Sequence, residues 1–116
     1  MFIGSSPIRL EVEGWDVDRL LKTSEVALRY CLDHRLPAMY VTEDTTRADP
    51  ETVRRLYGLA LDMGAQRLVV CDTCGHATPE AVCARVQKRA PAINRTTVYR
   101  ALEFLCAVGL ITSTLT

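Results

Sequence analysis

The 116-residue sequence has no apolar run approaching the ~18 residues of a membrane-spanning helix, which excludes a helical span. Its first residues, Met1-Phe2-Ile3-Gly4-Ser5-Ser6-Pro7, lack a basic start and a long apolar core, so no secretory leader is expected. Its five cysteines, Cys31, Cys71, Cys74, Cys83 and Cys106, are too few for a disulfide scaffold and odd in number. Most stand in apolar stretches, which points to reduced thiols and a cytoplasmic location. The chain is also too short for a closed eight-stranded α/β barrel, which takes about 250 residues. What it does have, 48% apolar and 24% charged residues, is the composition of an ordinary soluble domain with one core, or two small pieces sharing one.

Net charge is missing too, but the formal zero conceals an asymmetry. Residues 1–82 carry nine Lys/Arg against thirteen Asp/Glu, whereas residues 83–116 carry five Lys/Arg against Glu103 alone. A basic end on an acidic body suits an anionic partner such as nucleic acid; it equally suits a solvated helix face.

Apolar periodicity divides the chain into alternating elements. Residues 2–9 read as a short strand entering a Gly-Ser-Ser-Pro loop. Val17, Leu20, Leu21, Ala27, Leu28, Cys31 and Leu32 recur at helical spacing up to His34, and Pro37 follows as a stop. Residues 38–42 are a short strand ending in Glu43-Asp44. Asp49-Pro50 opens a helix that Gly64 ends, residues 67–71 form another strand, and Thr78-Pro79 opens a further helix to about Ala90. Strands and helices alternating over short connections predict parallel βαβαβ units. After Pro91, Asn94 caps a helix through Ala107, with Gly109 at its end. No linker separates the two halves, so the helix of residues 79–90 is expected to serve both.

Each strand ends in polar residues: Ser5-Ser6, Thr42-Glu43-Asp44-Thr45, and Asp72-Thr73. In parallel α/β folds the carboxyl ends of strands collect ligand-binding groups, beside helix N-termini that point the same way. Such loops are polar in any case, and Asp49 and Thr78 read as helix caps.

The wording of these segments is more specific. Glu43-Asp44 followed by Thr46-Arg47, and Asp72-Thr73-x-Gly75-His76-Ala77-Thr78-Pro79 at the next strand end, resemble the pyruvate-carboxyltransferase-like barrel family, and residues 2–9 resemble the end of an earlier strand of that barrel. The family includes 2-isopropylmalate synthase, homocitrate synthase and hydroxymethylglutaryl-CoA lyase. The resemblance covers about residues 1–82 and implies a partial (β/α) barrel slice, a fragment of an acyltransferase that condenses an acyl-CoA with a 2-oxo acid on a divalent metal, Mg or Mn. It makes Glu43 the active-site carboxylate, and Asp72 and Thr73 substrate-binding, with the Thr73 hydroxyl donating to the 2-oxo acid's carboxylate. The family's metal ligands, an aspartate on the first barrel strand and a late His-x-His pair, have no counterpart here. Met39 and Val41 stand where some members have polar substrate contacts. The slice is therefore expected to bind no metal and to be inactive alone, with two open sheet edges that a homo-oligomer could cover.

Cys71-x-x-Cys74 with His76 nearby admits a zinc or redox reading. Zinc needs four ligands, and Cys83 is the one close further candidate. The plainer reading makes Cys71 a buried strand residue and Cys74 a loop residue.

Residues 78–108 have the order of a helix-turn-helix. Arg95, Thr96, Tyr99 and Arg100 share a polar face opposite Val98, Leu102 and Leu105, where they can reach base edges and phosphates. Lys88 and Arg89 end the preceding helix and suit phosphate contact. The string Asn94-Arg95-Thr96-Thr97-Val98-Tyr99-Arg100-Ala101-Leu102-x-x-Leu105, then Gly109-Leu110-Ile111, resembles the winged-helix domain of the ferric uptake regulator family. This resemblance covers residues 78–116. It implies a partial winged helix that binds duplex DNA and regulates transcription, with Thr97 also in the recognition helix and a wing strand over residues 110–115.

Overall fold

Three apolar runs form strands, β1 (Phe2–Gly4), β2 (Met39–Glu43) and β3 (Arg67–Val70), in one parallel sheet of order β1-β2-β3. Phe2 pairs with Val41 and Gly4 with Glu43, while Met39 pairs with Arg67 and Thr42 with Val70. The computed structural model describes residues 1–111 and divides into two units, Met1–His76 and Ala77–Thr116.

In the first unit, α1 (Pro7–Glu13) and α2 (Val17–Asp33) link β1 to β2, and α3 (Pro50–Asp62) links β2 to β3. Helix α1 corrects the expected loop. Pro7 presets the first helical φ, and Gly14 closes the helix in the left-handed region at φ 63°. Seven residues, with none buried, are too few to show a helical period. Asp16 accepts the Arg19 N–H at 2.7 Å to cap α2, and Asp49 accepts the Thr52 N–H at 2.8 Å to cap α3.

Alternation along the strands sends Ile3, Tyr40 and Thr42 to one face, where Ile3 and Tyr40 pack with Leu20, Leu28, Leu56, Tyr57 and Ala60. Polar groups in this core are paired. Ser24 and Tyr40 share a hydrogen bond of 2.8 Å, and Tyr57 shares one of 2.7 Å with Thr42 while donating to the Val69 carbonyl at 2.6 Å. The two tyrosines meet edge to face at 5.5 Å. Burial pushes the Tyr40 phenol above its ordinary value. The sheet is less well covered elsewhere: Phe2 is 63% exposed, Met39 45% and Val70 62%.

The second unit pairs α4 (Pro79–Arg89) with α5 (Arg95–Ala107), so the helix expected to serve both halves falls in this unit. Thr78 caps α4 and Asn94 caps α5, as the sequence indicates. Cys83 and Val98 are buried here, and Gly109 follows α5 with φ 73°. Where a wing strand is expected, Leu110 and Ile111 form a bend, both amides bonding back to the Leu105 carbonyl; residues 112–115 of that expectation lie outside the described residues. No described helix is long and apolar enough to cross a membrane.

Candidate functional site

Because the strands run parallel, the segments after β1, β2 and β3 emerge at one edge of the sheet. The segment after β2 is the most constrained. Asp44 takes a left-handed conformation at φ 53°, which aspartate tolerates better than most residues, and a single 3₁₀ turn follows over Thr45–Arg47. This turn is stitched to the segment after β3. The Asp44 N–H donates to Thr73 Oγ1 at 2.8 Å, and the Thr46 hydroxyl donates to Asp72. The Thr45 N–H donates to the Cys71 carbonyl at 2.9 Å, and the Cys71 N–H returns a bond of 3.3 Å to Thr45 Oγ1.

Arg47 forks onto the buried Asp44 carboxylate, Nε at 2.8 Å from Oδ1 and Nη2 at 2.5 Å from Oδ2. This guanidinium holds the Asp44 carboxyl below the usual carboxylate value, against the upward push of burial; the Ser6 hydroxyl and the Cys74 thiol add to the lowering. The same Nη2 lies 3.3 Å from Cys74 Sγ. Arg47 is in the matched motif but carries no role from it. Asp72 is held by Thr46 and by the His76 N–H at 2.9 Å.

Glu43 is half-buried at the end of β2, and its side chain has no hydrogen-bonding or ion-pair partner among the described residues. It faces a cleft of about 230 Å³ whose walls include Phe2, Gly4, Arg9, Glu13 and Trp15. Arg9 pairs there with Glu13 at 3.1 Å. A Cβ on Gly4 would run into the Arg9 side chain, so a larger residue at this strand end would have to displace Arg9. Next to it the buried Ser5 hydroxyl lacks a partner among the described residues. The structure thus brings Asp72 and Thr73 together with the Asp44–Arg47 clamp, whereas Glu43 opens onto a different set of neighbours.

Among the described residues, no three His, Cys, Asp or Glu side chains converge to hold a metal ion. Asp44 and Asp72 are also engaged by Arg47, Thr46 and the His76 amide. These residues do not fit a divalent metal, and among the described residues Cys71, Cys74 and His76 form no zinc cluster.

In the second unit, Arg95, Thr96, Thr97 and Arg100 are exposed at the start of α5, and Lys88 and Arg89 at the end of α4. Tyr99 is half-buried and donates its hydroxyl to Glu80 at 2.8 Å, while Arg95 donates to the Tyr99 oxygen at 3.1 Å and lies over its ring. These three side chains therefore link α4 to α5. The Glu80 carboxyl is lowered first by its own backbone amide and then by Tyr99.

No family model matches the chain. Curated relatives do. A homocitrate synthase of Methanocaldococcus jannaschii is 31% identical over 83 residues, 70% of this chain and 20% of the relative. An (R)-citramalate synthase of the same organism and a 2-isopropylmalate synthase of Lactococcus lactis subsp. cremoris are each 32% identical over 81 residues, 69% of this chain and 16% of each relative. This chain thus spans a fifth or less of the length of these three synthases, and over some two thirds of its own length it is their homologue.

Proposed function

We propose that residues 1–82 are a fragment of a condensing enzyme of the 2-isopropylmalate, homocitrate and citramalate synthase kind. The fragment contributes strand ends to the 2-oxo acid site and does not turn over by itself. The observation that carries this reading is the Thr73 hydroxyl. It accepts the Asp44 N–H, so its own proton is left to donate, and it is exposed at the strand end. A short hydroxyl fixed in this way suits the carboxylate of a 2-oxo acid. Asp72 holds the loop through the Thr46 hydroxyl and the His76 amide, and Glu43, whose carboxylate has no partner among the described residues, faces the cleft for a polar reacting group.

A divalent metal and an acyl-CoA belong to the proposed activity of a whole enzyme. The residues present do not fit the metal, and no step of this chain runs through one. Thiol release from acetyl-CoA with a panel of 2-oxo acids and Mg²⁺ or Mn²⁺ is the test. The chain alone is expected to release none above a protein-free control, and release that Glu43→Gln abolishes would overturn its assignment as inactive. The free edges of β1 and β3, with Phe2 and Val70 exposed beside them, support a homo-oligomer that covers them. Sedimentation velocity should then show association as concentration rises; a monomer at every concentration contradicts it.

A second reading assigns duplex-DNA binding, of the ferric uptake regulator kind, to residues 78–116. The exposed Arg100, Lys88 and Arg89 around the start of α5 favour it, while the engagement of Arg95 and Tyr99 with Glu80 works against it. A gel shift of duplex DNA that weakens with salt and is lost in Arg95→Ala/Arg100→Ala is expected on this reading. No shift at low salt contradicts it.

A further inference from the structure

We propose that the outer face of α2 is a self-docking surface, on which a second copy of this chain lays its own α2 antiparallel about a two-fold axis at Val26. Helix α2 turns Leu20, Ser24 and Leu28 into the first unit and packs against α3. At about 100° per residue, Arg19, Val26, Tyr30 and Asp33 lie on the opposite side. Polar residues suffice on such a solvent face, yet Val26 and Tyr30 in its middle are 64% and 58% exposed. The Tyr30 ring is held by stacking on His34 at 4.0 Å. Beside them a groove of about 780 Å³ runs along the helix from Arg19 to Cys31, with Lys22 and Thr23 in its wall.

Charge selects both the occupant and its direction. The stripe carries a cation near its start, Arg19, and an anion at its end, Asp33, about 21 Å apart along the helix. Both are exposed, and neither has an ion-pair partner among the described residues. Their charged neighbours are already paired, Arg29 with Glu25 at 2.8 Å and Asp18 with Arg55 at 3.5 Å.

Two parallel copies would set Arg19 against Arg19 and Asp33 against Asp33. Antiparallel copies centred on Val26 set Arg19 against Asp33 of the second copy at both ends, as an isologous interface requires. Val26 then meets Val26, Lys22 meets the face of the Tyr30 ring, and the two helix dipoles oppose one another. This contact uses neither free edge of the sheet. It rests on the self-association proposed above and gives it a different surface. One helix from each copy makes a small interface, so the dimer is weak and forms at high protein concentration.

Sedimentation velocity of the full chain over a range of concentrations reads the pairing. Arg19→Asp and Asp33→Arg are each expected to weaken the dimer roughly tenfold, since either change makes two attractive contacts repulsive. An equimolar mixture of these two variants should recover the wild-type dimer, because opposite charges then face each other at both ends. The double variant Arg19→Asp/Asp33→Arg should recover it as well. Val26→Glu, which sets two carboxylates against each other at the axis, should weaken it with no rescue by either charge reversal. Circular dichroism of each variant reports that α2 is still folded. Association that neither charge reversal nor Val26→Glu alters overturns docking through α2 and leaves the sheet edges as the contact. Weakening by the single variants without recovery in the mixture overturns the antiparallel register. A wild-type monomer at every concentration overturns this pairing and the edge contact together.

Discussion

Tyr57 illustrates how much a single side chain carries here. Its ring packs against Tyr40, and its hydroxyl joins Thr42 to the Val69 carbonyl, so one residue of α3 ties β2 to β3. Tyr57→Phe keeps the ring but leaves buried polar atoms without this partner. Urea denaturation should show a loss of about 1–3 kcal/mol. Asp44 acts through charge. Its folded carboxyl titrates below its unfolded value, so the stability it contributes is present in full above the unfolded value of about 3.9 and is lost as pH falls through the folded one. Asp44→Asn should therefore flatten the acid limb of a stability–pH curve measured by urea midpoints below pH ~5. An unchanged acid limb would show that Asp44 is not the group responsible. The strand-end polar residues themselves were legible in the sequence, because Glu43, Asp72 and Thr73 follow apolar runs. The clamp was not: that Arg47 turns back onto Asp44 depends on the left-handed φ of Asp44, which no pattern of residue types specifies.

At the scale of the element, caps and periodicity carried most of the information. Asp49, Thr78 and Asn94 make the capping bonds that their positions suggest, Asp16 caps α2 as well, and α2 and α3 show clear apolar periods. The elements missed are the short ones, α1 and the 3₁₀ turn after β2, which are held by Pro7, by Gly14 and by contacts to other segments rather than by a repeating face. Among the described residues of the second unit only Cys83 and Val98 are buried, so the two helices share little core there and depend more on their ends. Asn94 accepts the Thr97 N–H at 2.8 Å and its hydroxyl at 3.0 Å. Asn94→Ala should cost about 1 kcal/mol, seen as a loss of helical circular dichroism and an earlier thermal transition. No change would mean that the turn before α5 is set by something other than this cap.

For the whole molecule, length and charge pattern led in different directions. A chain of 116 residues excluded a whole eight-stranded barrel, and the structure has three parallel strands whose carboxyl ends lie together, matched to synthases several times its length. The basic character after residue 82 marks exposed cations, yet Arg95 donates to Tyr99 of its own helix, and Tyr99 in turn donates to Glu80 of α4, a link that charge counts do not reveal. The central claim is that the ends of β2 and β3 form part of a 2-oxo acid site, with Thr73 as the carboxylate donor. Titrating a small 2-oxo acid into the ¹⁵N-labelled chain and following the backbone amides tests it most directly. Saturable shifts centred on Asp44 and Thr73, lost in Thr73→Val, are expected; amides at both positions that stay fixed to the end of the titration would contradict it.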